Sequence, residues 1–205
     1  SWLIPARRRA VMRQGSGHKI EQLARMLRLA PPPPPVTWFS ADDMVRAAAM
    51  LPADGRPVIV LAPTANWAPK VWPPDRFAAL FQRLAATHIP GAVPAIIAGP
   101  GEAEAAMAGP LSRALPDAVD LVGRLSLPEI AAFLSRSALF VGNDSGLMHL
   151  AAASGVPTLG LFGPTNPAEY GPAGRRAAVI AGSGSSMETI SVDAAVETAE
   201  RMLRR

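Results

Sequence analysis

The sequence contains no cysteine. That removes disulfides, a thiolate nucleophile and any cysteine-ligated zinc or iron–sulfur centre. Histidine is scarce too: His18, His88 and His149 lie far apart, form no H-x-x-x-H pair, and offer no metal cluster. No window reaches the roughly eighteen consecutive apolar residues of a membrane span, and the opening SWLIPARRR lacks the long apolar core and cleavage site of a secretory signal. A cytoplasmic location is expected. Three nucleotide signatures are missing as well. Gly99-Pro100-Gly101 follows an apolar run, but position six of G-x-G-x-x-G is Glu104 rather than Gly or Ala, which argues against NAD. Neither G-x-x-x-x-G-K-[ST] nor D-x-D occurs, so a P-loop NTPase and the metal-dependent class of sugar transfer both lose support.

What is present can bury a full core: 205 residues, 49% hydrophobic and 18% charged, enough for one domain or one domain plus an appendage. The net charge of +4 is unevenly spread. Residues 1–28 carry seven Lys/Arg against one Glu, a local +6 that leaves −2 for the other 177 residues. Such a cluster suits nucleic acid, an anionic membrane surface or an acidic substrate, or is the solvated face of a helix on which Ile20, Leu23 and Leu27 recur at helical spacing. No aromatic residues interleave the basic ones as in single-strand binders. Proline, at 22 residues, includes five in a row at 31–35, an extended connector that no helix can cross. A boundary is expected there, dividing the chain into residues 1–36 and 37–205.

Beyond it, apolar runs of strand length recur at Val58–Leu61, Ala95–Ala98, Val119–Val122, Leu139–Val141, Thr158–Phe162 and Ala177–Ala181. Helix-length segments separate most of them: Phe77, Leu80, Phe81 and Leu84 keep the i, i+3, i+4, i+7 pattern, as do Val192, Ala195, Val196, Ala199 and Met202. Ser126-Leu127-Pro128-Glu129 has the form of a capping box. Alternation of near-continuous apolar strands with helices predicts a doubly wound, Rossmann-like α/β fold on a parallel sheet.

Ligands of such sheets bind where strand ends hand over to helices. The stretch VGNDSGLMHLAAASGVPT sits at such an end, with Asp144 expected to cap a helix from Ser145 to Ala153. Two readings stand side by side: a helix start that is only well capped, or an anion site built from free N–H groups and the helix dipole. Lys70 invites a similar pair. It is the only lysine after residue 19, lies directly after the first expected strand beside Thr64 and Asn66, and is either a compact charge for a phosphate or a surface lysine in a proline-rich loop.

The segments APTANWAPKVWPPDRFAAL, AGPGEAE, VGRLSLPEIAAFLSRSALFVGNDSGLMHLAAASGVPTLGLFGPTNPAEYGP and SSMETISVDAAVETA together resemble the donor-binding domain of the heptosyltransferases, glycosyltransferase family 9. The resemblance covers roughly residues 57–205, in order and spacing. It implies the C-terminal half of a two-domain GT-B enzyme of lipopolysaccharide core biosynthesis, inverting, metal-independent and without cofactor. The donor would be a nucleoside-diphosphate sugar such as ADP-heptose and the acceptor a lipid-linked saccharide. Carried over, Lys70 meets the donor phosphates beside Thr64 and Asn66, Glu102 takes the ribose hydroxyls, and the backbone at Leu125 borders the adenine. Asp144 contacts the sugar or its phosphates, Ser145, Gly146 and Leu147 present N–H groups to the diphosphate, and His149 sits one helical turn inward. Lys70 and Asp144 are thereby the expected catalytic pair.

This sequence departs from the family pattern twice. Ser185-Ser186-Met187 stands where relatives often carry cysteines, and nothing in residues 1–56 resembles the glycine-containing turn and aspartate of the acceptor side. The expectation is therefore a chain without most of its N-terminal acceptor domain, inactive in transfer by itself, binding nucleotide sugar and no nucleic acid, and peripheral at an anionic inner-membrane surface. A sugar-nucleotide epimerase of the same fold would want further acids at the helix start, where Leu147-Met148 stand; a nucleotide-binding module without transfer activity is the other alternative.

Overall fold

A computed structural model describes residues 16–204; the part of the basic cluster in residues 1–15 lies outside the described residues. Six parallel strands form one sheet: β1 (Val58–Ala62), β2 (Val93–Ile96), β3 (Val119–Asp120), β4 (Leu139–Asn143), β5 (Thr158–Phe162) and β6 (Ala177–Ala181). Their order in space is β3-β2-β1-β4-β5-β6. The chain therefore winds outward from β1 to one edge, returns to the middle, and winds outward again from β4. At the point of reversal β1 and β4 are neighbours, with Ile59 opposite Leu139 and Ala62 opposite Gly142. The loops leaving their carboxyl ends diverge to opposite faces and open a crevice between them, the usual ligand position in such sheets.

Both faces are covered, which is why the strands read as apolar runs without alternation. Ile59 and Leu61 point to one layer, packed by α3 (Pro74–Thr87), α4 (Glu102–Ala114) and α8 (Val192–Leu203). Val58, Val60 and Ala62 point to the other, packed by α2 (Ala41–Ala48), α5 (Leu127–Leu134) and α6 (Gly146–Ser154). Each fully buried large side chain contributes about 1.5–3 kcal/mol of transfer free energy, and Phe77, Leu80, Phe133 and Phe140 are all of that kind. Gly142 is the one position where β4 must approach β1 closely. A Cβ there would lie 2.9 Å from that of Ala62 and 2.8 Å from Phe140 Cζ.

Local signals set the helix ends. Prolines open α3, the Glu129 carboxylate accepts a hydrogen bond from Ser126 N–H at 2.6 Å, and Ser191 Oγ accepts from Ala194 N–H at 3.1 Å. Two expectations change. The strand expected over Val119–Val122 ends at Asp120, whose side chain accepts from Val122 N–H, although Leu121 N–H and Gly123 N–H still donate to Ile96 O and Ala98 O beside β2. In α1 (Lys19–Leu27) the apolar stripe is not the buried face: Leu27 is 57% exposed, while Gln22 and Ala24 are buried. Polar ties dock that helix instead, because His18 Nε2 donates to Gly171 O at 2.9 Å and Lys19 pairs with Glu169 in α7 (Pro167–Tyr170). The five prolines that follow contain no helix or strand.

Candidate functional site

The β1/β4 crevice is a cleft of about 460 Å³, lined on one side by Thr64, Asn66 and Lys70 and on the other by Asp144, Ser145 and His149. The loop after β1 makes a single 3-10 turn, Ala68–Lys70, that brings Lys70 back over the strand ends. There its Nζ donates to Asp144 Oδ2 at 2.7 Å. Thr165 Oγ1, from the loop after β5, donates to the same oxygen at 2.7 Å. Both charged side chains are largely withdrawn from water, 16% and 8% exposed, so each compensates a charge the other could not bury alone.

Asp144 does not cap the helix. The structure places the N-cap one residue later, at Ser145, and α6 begins at Gly146. The physical reason is the cation: Lys70, 74 residues away in sequence, and Thr165 draw the carboxylate toward the cleft and away from the helix N–H groups. Ser145 makes no capping bond either. Its buried Oγ is the single side-chain polar atom among the described residues that is both buried and without a hydrogen-bond partner. With the first N–H groups of α6 also free of side-chain caps, the cleft presents backbone donors, the positive end of a helix dipole and an ammonium group together, with the unpartnered Ser145 hydroxyl just beneath its wall. That set has the chemistry of an anion site.

Two sequence candidates are not brought to the cleft. Glu102, first residue of α4, is exposed and does not line it; Glu104 does, its carboxylate accepting from Gly99 N–H at 3.1 Å. Leu125 packs against the apolar layer beneath α5, and the apolar residue at the rim is Leu127, 65% exposed. Gly146 and Leu147 line the cleft as expected. His149, one turn along α6, is exposed by surface area although its ring is crowded. That crowding pushes its pKa below the usual imidazole value; Asp144 opposes the shift, and His18 and Lys70 add to it. Sequence reasoning passed over Asn143 and Thr165, whose partners come from other strand ends, and Glu104, whose partner Gly99 lies in the loop before its own helix. Among the described residues no group of three or more His, Asp or Glu is placed to hold a metal ion.

The sequence pattern of glycosyltransferase family 9 (heptosyltransferase) matches residues 7–197. A lipopolysaccharide heptosyltransferase 1 from Pseudomonas aeruginosa is 38% identical over 121 residues, which is 59% of this chain and 33% of that protein. The chain spans about a third of the length of the curated relatives it matches. Among solved structures, a family 9 glycosyl transferase from Veillonella parvula superposes with a TM-score of 0.81 at 21% identity, over 95% of this chain and 62% of that one. E. coli heptosyltransferase WaaC with ADP gives 0.70 at 22% identity, over 96% and 60%. At these identities the structural likeness speaks for the fold alone.

Proposed function

We propose, since this chain belongs to glycosyltransferase family 9, that residues 37–205 are the donor-binding domain of an inverting GT-B heptosyltransferase of lipopolysaccharide core biosynthesis. Residues 1–36 are the end of an acceptor domain and its proline-rich connector. The donor is a nucleoside-diphosphate sugar of the ADP-heptose class and the acceptor a lipid-linked saccharide at the cytoplasmic membrane face. The observation that carries the reading is the meeting of Lys70, the orphan Ser145 hydroxyl and the uncapped start of α6 in one cleft at the β1/β4 reversal.

The chemistry follows from that arrangement. A diphosphate seated on the start of α6 receives N–H groups from Gly146 and Leu147, the Ser145 hydroxyl proton and the Lys70 ammonium. These donors are fixed before the reaction, so they stabilise the charge that grows on the departing diphosphate as the sugar leaves, with little reorganisation. Asp144, itself held by the Thr165 hydroxyl, keeps Lys70 in place until the anion arrives. Glu104, in the position first expected of Glu102, faces the cleft as a hydrogen-bond acceptor for ribose hydroxyls, and Leu127 offers an apolar rim to the base. The base that deprotonates the acceptor belongs to the acceptor domain. Calorimetry with nucleoside diphosphates and their sugars tests the reading: ADP or ADP-heptose binds, and this chain alone transfers no sugar. Failure of every nucleoside diphosphate to bind, or turnover by this chain, contradicts it.

A further inference from the structure

Asn143 is the last residue of β4 and has no exposed surface. Its side-chain amide makes two hydrogen bonds, both to backbone of a different strand's loop. Oδ1 accepts from Trp72 N–H at 3.1 Å, and Nδ2 donates to Pro63 O at 2.9 Å. Pro63 and Trp72 are the two ends of the segment that carries Thr64, Asn66 and Lys70. One buried amide therefore closes that segment into a loop and fastens it to the strand whose next residue is Asp144. The register supports the same conclusion: Ala62 lies opposite Gly142, so Asn143 stands where the β1 chain leaves the sheet.

The far end of the loop is anchored a second way. Trp72 is fully buried, meets Phe77 edge to face at 5.0 Å, and donates from Nε1 to Ile190 O at 3.0 Å. Pro63 has no N–H, and its carbonyl has the Asn143 amide as its side-chain donor. The near end of the loop thus depends on Asn143 more than the far end does. An apolar residue at 143 would leave a buried carbonyl and a buried N–H without partners, a condition folded proteins avoid.

The geometry points to Asn143 as a positioning residue: it sets the height of the Lys70 loop over the β4 strand end, and through it the place of the ammonium group that meets the diphosphate. The assignment rests on the proposed donor site for its functional meaning, while the staple itself can be read without any ligand. Lys19 and Lys70 are the only lysines in the chain, so Lys19 is an internal reference for the reactivity of Lys70.

The test is limited acylation of the whole chain with an amine-reactive ester, mapped by mass spectrometry, on the unaltered protein and Asn143→Ala, with ADP and adenosine affinities measured in parallel. Freed from its loop geometry, Lys70 leaves Asp144, and the ratio of Lys70 to Lys19 labelling rises several-fold in Asn143→Ala. ADP affinity falls several-fold, adenosine affinity is unchanged, and in a Lys70→Ala background Asn143→Ala causes no further loss. An unchanged labelling ratio overturns the proposal, as does an equal loss of ADP and adenosine binding or a loss that persists without Lys70. A raised labelling ratio in a protein that binds no nucleotide leaves the staple standing and refutes the donor site instead. Should Asn143→Ala not fold, native-state hydrogen exchange on the unaltered chain decides. The Trp72 N–H must then exchange as slowly as the β4 amides, and exchange as fast as in residues 65–70 overturns the assignment.

Discussion

The strand ends of β1 and β4 and the N-terminal flank of the domain are built on opposite plans. At the strand ends, polar side chains are withdrawn from water and bonded to one another or to backbone: Asn143 to Pro63 and Trp72, Lys70 to Asp144, Thr165 to Asp144. In the flank, apolar side chains face outward, with Trp38 82% exposed, and the ties to the domain are surface polar contacts such as Lys19 with Glu169 and Thr37 with Ser154. A rigid, preorganised site is made where the cost of burying polar groups is met by pairing, leaving one fully buried hydroxyl among the described residues, Ser145 Oγ, without a partner. The flank can shift without disturbing that network, because none of the bonds that hold Lys70 and Asp144 runs through it.

Two of the four tryptophans, Trp72 and Trp38, break or sharpen this contrast most strongly. Trp72→Ala removes a side chain with no exposed surface and is expected to lower unfolding stability by about 3–5 kcal/mol. Trp38→Ala should change it by no more than about 0.5 kcal/mol. Urea melts of both variants test the pair, and equal losses would show that the flank is part of the core. Ser145→Ala comes next: stability stays within about 0.5 kcal/mol, since no protein hydrogen bond is lost, while diphosphate binding weakens by about 0.5–1.5 kcal/mol. A large drop in melting temperature with unchanged ADP affinity would make the serine structural.

Acid separates the regions by a smaller effect. Because the folded-state pKa of His149 lies below its unfolded value of 6.5, the unfolded chain takes up the proton first, and stability declines as pH falls below about 6.5. Glu129 and Glu169 act in the same direction but at lower pH: hydrogen bonds, from Ser126 and Lys19 respectively, hold their pKa below 4.5, so their stabilisation persists above that value and is lost as pH falls through their folded pKa. His149→Gln should therefore flatten the melting curve just below pH 6.5 and leave the steeper loss under about pH 4.5. Smallest of all is Lys19→Ala, which loosens α1 at low salt and does nothing measurable once salt screens the pair, readable as protease sensitivity after residue 28.

The fold was legible in the sequence wherever a signal was local. All six apolar runs are strands within two residues of their expected bounds, because a doubly covered sheet needs continuous apolar residues; the run at the edge keeps only Val119–Asp120 as strand, and β2 sits two residues earlier than expected. Lys70 and Asp144 were expected in one site through the family resemblance, and the structure brings them together. Asp144 as a helix cap was wrong because capping rules see only neighbours in the chain, and a lysine 74 residues away outbids the helix for the carboxylate. Asn143 and Thr165 were invisible for the same reason. The roles of Asn143 and Thr165 exist only after the strand order has placed β1, β4 and β5 side by side, whereas Glu104 bonds to Gly99 N–H in the loop before its own helix and was passed over for Glu102 two residues earlier.

The central claim is that the β1/β4 cleft holds a diphosphate through Lys70. Titration calorimetry of ADP and adenosine against the unaltered chain and Lys70→Ala tests it most directly. The account predicts that ADP binds the unaltered chain more tightly than adenosine, and that Lys70→Ala lowers ADP affinity by about 1.5–3 kcal/mol while leaving adenosine affinity where it was. Equal affinities for ADP and adenosine, or an ADP affinity indifferent to Lys70, would contradict it.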